Sequence, residues 1–311
     1  MSETIPLCPI TGLPASRRIQ GVSADLLTAL WRHTFRVDAT SSLQGIRRFT
    51  LWESPCGLAF FDPMRAGDGS FYAGLYNGMR FHEDMARQHA AREDFSYAAG
   101  FIEPGQRVLD VGCGTGAFAR SIAQARYQGI DAHADRYATG TGILAETVEQ
   151  HADSHGGQYD AVCSFHVIEH VTDPLAMAAS MVRCLRPGGL LILAAPLWPS
   201  SLTEIPNFVL NAPPNHLTWW NPGAFAALAA NFGLEIVSNG TVQASPPHSL
   251  IHWIAKMSPV KTSDRYYRHA WPWHLSLLAG YVLAIIARRF AILPRITKPI
   301  DAVLVARKPV D

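Results

Sequence analysis

Three glycines and two acidic residues carry the first chemical signal in this chain. Val108–Ala119 reads VLDVGCGTGAFA, so Gly112, Gly114 and Gly116 recur at every second position, with Asp110 before the first and Cys113 inside the turn. Glycine has no Cβ, so such a turn lets backbone approach a ligand closely. A dinucleotide turn would read GxGxxG and seat a pyrophosphate on a helix N-terminus. Here the third glycine comes one residue early, and a carboxylate at Asp110 would repel a pyrophosphate. A cation organised through hydrogen bonds, such as a sulfonium that also bears an amino group, suits these residues better. Asp131 lies 21 residues beyond Asp110. An acid at the end of the second strand accepts both hydroxyls of a ribose in nucleotide sites of this architecture.

A second group of titratable residues follows. His166, Glu169 and His170 match the inverted zinc-protease pattern HxxEH. That chemistry needs both histidines on one helical face, whereas this stretch begins at a strand end and continues as a loop, so the protease reading is rejected. His216 is a candidate general base, because a histidine titrating near neutrality suits proton removal from a hydroxyl. The alternative is a structural role in ordering the turn Pro213–Leu217.

These residues need elements to position them. Arg107–Val111 reads as a short apolar strand before the glycine turn, Ala117–Ala125 as a helix, and Tyr127–Ile130 as a strand ending at Asp131. Tyr159–Phe165 reads as a strand. Pro174–Leu185 reads as a helix stopped by Arg186-Pro187-Gly188-Gly189, and Leu190–Ala195 as an apolar strand. Pro222–Phe232 follows as a helix with Asn221 as N-cap. Leu234–Ser238 and Ala302–Ala306 read as the last strands. Strands alternating with helices predict an α/β fold with a mostly parallel sheet covered on both faces. Ligands in such sheets bind beyond the carboxyl ends of the strands. Residues 1–100 are expected to form a helical cap region, with helical composition over Ser70–Gly100, and residues 101–311 the α/β domain, interrupted by an insertion at about 244–300.

With these residues in place, the chain resembles the class I S-adenosylmethionine-dependent methyltransferases. Asp110-Val111-Gly112-Cys113-Gly114-Thr115-Gly116 matches that family's first motif, and Asp131 its ribose-binding acid. Tyr159–Val162 followed by His166–Val171, then Leu185–Gly189, resemble the fourth-strand motif and the turn before the fifth strand. Pro214-Asn215-His216-Leu217 with Trp220 and Pro222 is similar to the post-core segment of small-molecule members. The resemblance implies a Rossmann-like sheet of seven strands and S-adenosyl-L-methionine as methyl donor. It implies that Leu144, Ala145 and Glu146 flank the adenine and that Phe165 and His166 line the methionine side. Tyr72, Tyr76, His170 and Trp220 then fall on the acceptor side. Quinone-biosynthesis O-methyltransferases of similar sequence bind a divalent cation through acidic residues and a histidine. His166 replaces the first of those acids, and a hard cation prefers oxygen ligands, so no metal is expected.

The implied activity is methylation of a small-molecule acceptor, expected at oxygen, by direct transfer that depends mainly on alignment with the sulfonium. A non-catalytic cofactor-binding or scaffold protein is the alternative, and a nucleotide-dependent oxidoreductase a weaker one. The net charge of +1 offers no basic excess for nucleic acid. Five widely spaced cysteines predict no disulfide framework, and the N-terminal residues lack a signal-peptide pattern, so a cytoplasmic setting is expected. Cys8-Pro9-Ile10-Thr11 and Glu53-Ser54-Pro55-Cys56 resemble the halves of a four-cysteine zinc knuckle with two ligands replaced, so zinc is not expected there.

The insertion carries Trp253, Tyr266, Tyr267, Trp271 and Trp273, an apolar run at Leu275–Ala287, then Arg288 and Arg289. The run is shorter than the roughly 20 apolar residues of a spanning helix. It is expected to pack on the sheet. Two alternatives are a lid over a lipophilic acceptor and peripheral membrane contact through residues 271–293.

Overall fold

A computed structural model describes residues 4–78, 92–134, 142–243, 249–262, 265–290 and 298–310. The N-terminal part differs from the helical cap expected of it. Strands β1 (Arg17–Ser23), β2 (Arg48–Glu53) and β3 (Ala59–Asp62) form an antiparallel sheet. Helix α1 (Ala24–Phe35) is capped by the Ser23 hydroxyl, which accepts from Leu26 N. It buries Leu27 and Trp31 in a cluster with Phe49, Leu51 and Phe61. Aromatic and β-branched residues favour strands there, but Phe49–Trp52 of β2 and Phe60 and Phe61 of β3 are buried on both faces, so no polar–apolar alternation marks them in the sequence. Helices α2 (Gly69–Gly78) and α3 (Glu93–Ala99) account for the described part of Ser70–Gly100.

The main sheet comprises β4 (Arg107–Val111), β5 (Arg126–Ile130), β6 (Tyr159–Phe165), β7 (Leu185–Pro196), β9 (Glu235–Gln243) and β10 (Pro299–Arg307), in the order β5-β4-β6-β7-β10-β9. The pairings β4–β5, β4–β6 and β6–β7 are parallel, and β10 runs antiparallel to both neighbours. The expected seventh strand is reduced, among the described residues, to a single parallel bridge between Ile130 and Leu144. Strand β7 starts earlier than expected, at Leu185, with Arg186–Gly189 accommodated as an irregularity between its pairings to Tyr159 and Ala161.

Successive side chains of a strand point to opposite faces, and the core divides accordingly. Leu191, Leu193 and Ala195 of β7 join one cluster, while Leu190, Ile192 and Ala194 join another. The first face is covered by α4 (Val148–His155), α5 (Pro174–Cys184) and α6 (Pro222–Asn231). The second is covered by α3 and a 3-10 helix at Ala117–Ile122, which takes the place of the longer α-helix expected after the glycine turn. Asn221 caps α6 as expected, accepting from Ala224 N.

The two sheets are stitched together. Strand β8 (Thr218–Trp219), from the segment that follows β7, pairs with β3. Cys8, Ile10 and Leu58 pack into the cluster under the main sheet.

Between β9 and β10, helices α7 (Ser249–Met257) and α8 (Trp271–Arg289) occupy the insertion. Helix α8 packs against α7 rather than against the sheet, which corrects the expectation for the apolar run. Among the described residues no helix is long and apolar enough to cross a membrane.

Candidate active site

The glycine turn and Asp131 form one hydrogen-bonded unit. Gly112 and Gly114 both hold positive φ, +68° and +55°. Gly112 N and Cys113 N donate to Ile130 O, at 2.8 and 3.1 Å. The Asp131 carboxylate accepts from Gly114 N at 3.1 Å and from His133 N at 2.9 Å. Both of its oxygens are thereby oriented, and each retains a lone pair for a further donor. Gly112 could not be larger: an added Cβ would sit 2.5 Å from Val167 Cγ2. The turn therefore lies directly on the loop that carries His166, Glu169 and His170.

Asp110 is buried beneath this unit, and Tyr127 donates its phenol proton to Asp110 Oδ2 at 2.8 Å. Burial pushes the Asp110 carboxyl up to about 7, against the opposing effect of that hydrogen bond. Thr115 Oγ1, in the same turn, is buried without a hydrogen-bond partner among the described residues. A cradle that only glycine can line, an oriented carboxylate and an orphaned hydroxyl fit a nucleoside-bearing ligand at this edge.

His166 stands at φ +59° and gathers carboxylates from three parts of the chain. Its Nε2 lies 3.5 Å from Asp94 Oδ2 in α3 and 3.7 Å from Asp301 Oδ1 in β10. Its Nδ1 lies 3.6 Å from Glu169 Oε1. Burial would lower the imidazole pKa, but the charge of Asp301 and the contacts with Asp94 and Glu169 prevail and raise it to about 10. Burial lifts Asp301 to about 6 despite the His166 charge. Burial would also raise Asp94, but the His166 contact and the pairing with Arg92 hold it well below the usual carboxylate range. Sequence reading missed Asp94, Arg92 and Asp301. They belong to a region read as a cap and to a strand read only as structural, and no motif marks them.

Glu169 is buried, and among the described residues neither of its oxygens has a hydrogen bond. Burial works to raise its pKa, yet His166, His170 and His216 around it bring it down to about 2. His170 Nδ1 donates to Asn215 O at 2.7 Å, which leaves Nε2 facing Glu169 Oε1 at 3.8 Å. His216 comes from the far side of β7. Leu217 N donates to Glu169 O at 2.7 Å and docks that segment, while Trp31 Nε1 and Gly67 N hold the preceding Pro213 and Pro214 carbonyls. The His170 and His216 rings then meet edge to face at 4.7 Å. One donor atom from each of Glu169, His170 and His216 falls within 4.8 Å of the others. Burial, then the neighbouring His170, lowers His216 to about 3. It is therefore a neutral but weakly basic imidazole at physiological pH, which corrects the near-neutral titration expected of it from the sequence.

Tyr72 stacks on Tyr76 at 5.9 Å and meets His170 edge to face at 6.3 Å. The residues expected on the acceptor side thus assemble, except Trp220. Its ring is wholly buried, stacks on Phe225 at 4.8 Å and donates to Thr218 Oγ1. Phe165 is likewise a core residue, packed between Phe95 and Phe118 at 4.9 and 4.7 Å. Glu146, expected beside the adenine, receives a 2.6 Å contact from His151 Nδ1, while His151 Nε2 meets the Tyr159 hydroxyl. Ala145 is exposed, one residue past the Ile130–Leu144 bridge. A separate cavity of about 380 Å³ opens at the end of β7 and the start of β10, lined by Leu197, Ser201, Thr262, Tyr266 and Lys298 among others. None of the residues assigned to the acceptor lines it.

The knuckle-like segments also meet. The contact with Cys56, joined by Ser54 and Thr11, lowers the Cys8 thiol to about 5 against the effect of burial.

The family model described as a methyltransferase domain matches residues 81–239. The ubiquinone biosynthesis O-methyltransferase of Sodalis glossinidius (strain morsitans) is 31% identical over 165 residues, covering 48% of this chain and 58% of that protein. The protein of that name from Escherichia coli O6:H1 (strain CFT073) is 31% identical over 169 residues, covering 50% of this chain and 62% of its own. The chain thus spans about three fifths of the length of these curated relatives. A solved SAM-dependent methyltransferase from Archaeoglobus fulgidus aligns with 76% of this chain and all of its own, at 16% identity and a TM-score of 0.48. By the family match over half its length, and by the glycine turn and sheet order that carry it, the chain belongs to the S-adenosylmethionine-dependent methyltransferase-domain family, with the class I fold.

Proposed function

We propose that the chain methylates an oxygen of a small-molecule acceptor, taking the methyl group from S-adenosylmethionine. The observation that carries this reading is the contact of Gly112 with Val167. It sets the donor turn directly against the loop bearing His166, Glu169 and His170. The name shared by the two bacterial relatives supports oxygen as the target.

In this reading Asp131 accepts the ribose hydroxyls with the lone pairs left over from Gly114 and His133. The turn from Gly112 to Gly116, with Cys113 inside it, supports the rest of the nucleoside. Asp110 acts through the turn and Tyr127 to favour a cation. Bound S-adenosylmethionine supplies an electrophilic methyl group. Tyr72, Tyr76 and His170 flank the acceptor and hold its oxygen in line with that methyl. His216, neutral and beside the Glu169 carboxylate, takes the proton only as the oxygen bonds to the methyl carbon and becomes acidic, a step open to a weakly basic imidazole. Glu169 steadies the resulting imidazolium, as an ionised neighbour favours the charged form.

The test is incubation with S-adenosylmethionine and a panel of phenols and catechols, with mass analysis of products. Methylation at oxygen is expected. Tight binding of S-adenosylhomocysteine with no transfer to any acceptor would favour the scaffold alternative. Absence of that binding would end both readings.

The Glu169 oxygens, faced by imidazoles but without a hydrogen bond among the described residues, favour one further reading of the same cluster. Glu169, His170 and His216 could together hold a divalent cation, which would bind the acceptor oxygen and lower its pKa. Loss of transfer on chelation, restored by a divalent metal salt, would select it.

A further inference from the structure

Helix α8 is built inside out. Its buried residues are Trp273, Ser276, Gly280, Ala284 and Ala287, mostly small and spaced three or four apart. Its exposed residues include Trp271 (74%), Leu275, Leu278 (58%), Val282, Ile285, Ile286 and, just past the end, Phe290 (70%). A surface helix ordinarily turns its large apolar residues to the core. Rotation could not correct the arrangement. A Cβ at Gly280 would stand 2.7 Å from Ile254 O of α7, and Ser276 Oγ bonds Ser258 Oγ at 2.9 Å. Close backbone approach and a buried polar pair fix which face points out.

Charge then selects what covers that face. Between Ala244 and Lys298 the sequence carries eight Lys and Arg and one acidic residue, Asp264. The whole chain carries 26 and 25, so the remainder holds 18 against 24. Lys256 and Lys261, exposed, stand at the α7 end that packs on the first half of α8, and exposed Arg288 and Arg289 close its second half. A second copy of this chain would bring two basic insertions together. An anionic surface would meet the same charges favourably. An exposed tryptophan at one end, apolar residues along one side, and Phe290 with two arginines at the other end form the pattern of a helix lying in a bilayer interface. At 19 residues with two arginines, α8 does not span.

We propose that the insertion docks the chain on an anionic phospholipid surface, with α8 lying in the plane of the interface. This stands independently of which acceptor is methylated. The test is flotation of the full chain with vesicles of phosphatidylcholine alone and of phosphatidylcholine with phosphatidylglycerol. Binding to the anionic vesicles is expected to exceed binding to neutral ones at least tenfold and to weaken with salt. Leu278→Glu with Ile286→Glu should abolish it. Arg288→Gln with Arg289→Gln should lower the partition coefficient roughly fivefold per charge. Circular dichroism and S-adenosylhomocysteine titration verify that each variant is folded. Two results would overturn the proposal: a full chain that stays unbound with anionic vesicles, or a dimer in sedimentation that the Leu278 and Ile286 substitutions dissociate. The second would assign the face to another copy.

Discussion

Gly114 N donates to the Asp131 carboxylate across 3.1 Å, so the turn after β4 and the acid after β5 are one structural unit. Removing the carboxylate should both loosen the turn and delete the ribose acceptor. Asp131→Ala is expected to weaken S-adenosylhomocysteine binding by about 2 kcal/mol, roughly thirtyfold, as for a hydrogen bond to a charged group. Isothermal titration measures it. Binding within threefold of the parent would remove Asp131 from the site.

Gly112 tests the cradle itself. Gly112→Ala would hold positive φ with a Cβ 2.5 Å from Val167 Cγ2. A loss of about 2 kcal/mol in denaturant unfolding is expected from the strain and overlap together. Pairing it with Val167→Ala should recover the part due to overlap but not the part due to φ.

Asp110 predicts a proton count. Without ligand its carboxyl titrates near 7, because burial disfavours the charged form. A cation bound close by favours the carboxylate and lowers that pKa. S-adenosylmethionine should therefore release protons on binding near neutral pH, and neutral-sulfur S-adenosylhomocysteine fewer. Titrations at pH 7 in buffers of different ionisation enthalpy give the number. Equal release by both ligands would contradict the assignment.

The His166 cluster predicts a stability profile with two ends. His166 is raised from 6.5 to about 10, so its contribution is complete below 6.5 and is lost as pH climbs through 10. Glu169 is lowered from 4.5 to about 2, so its contribution is complete above 4.5 and is lost as pH falls through 2. Replacing His166 by Phe removes the cation facing the buried Asp301 and Glu169 carboxylates, while Asp94 keeps Arg92, and should cost roughly 3 kcal/mol. The alkaline fall attributed to His166 should vanish in that variant, which urea unfolding at a series of pH values reads directly.

His216 and the cation reading part company in a kinetic profile. With its pKa lowered to about 3, His216 is unprotonated from mildly acidic to alkaline solution. If it is the base, turnover shows no acid limb near 6.5. His216→Ala should then cut kcat by about a hundredfold and leave KM little changed. A response to chelation that His216→Ala removes would instead mark it as a ligand. Trp220→Phe offers the contrast. It deletes a hydrogen bond to Thr218 in the core, so it should lower stability by about 1 kcal/mol without a specific effect on KM.

Local sequence determined the donor side. The glycine spacing, Asp110 and Asp131 lie within one β-turn-β stretch, where chain connectivity alone brings them together. The alternating strands of the main sheet were legible for the same reason, since β4, β6 and β7 declare their two faces residue by residue. The N-terminal sheet was not legible, because β3 finds its outer partner in β8 from far along the chain and its stability comes from that pairing. The same long-range docking of Leu217 on Glu169 decided that His216 joins His170. Burial decided that Trp220 and Phe165, equally plausible as pocket residues by type, belong to the core. The apolar run of α8 announced a helix by composition. Only its close packing on α7 through Gly280 and Ser276 determined that its large side chains face outward. Sequence thus fixes chemistry that is near in the chain, whereas electrostatic groupings such as Asp94, His166 and Asp301 exist only once the fold has drawn distant segments to one edge.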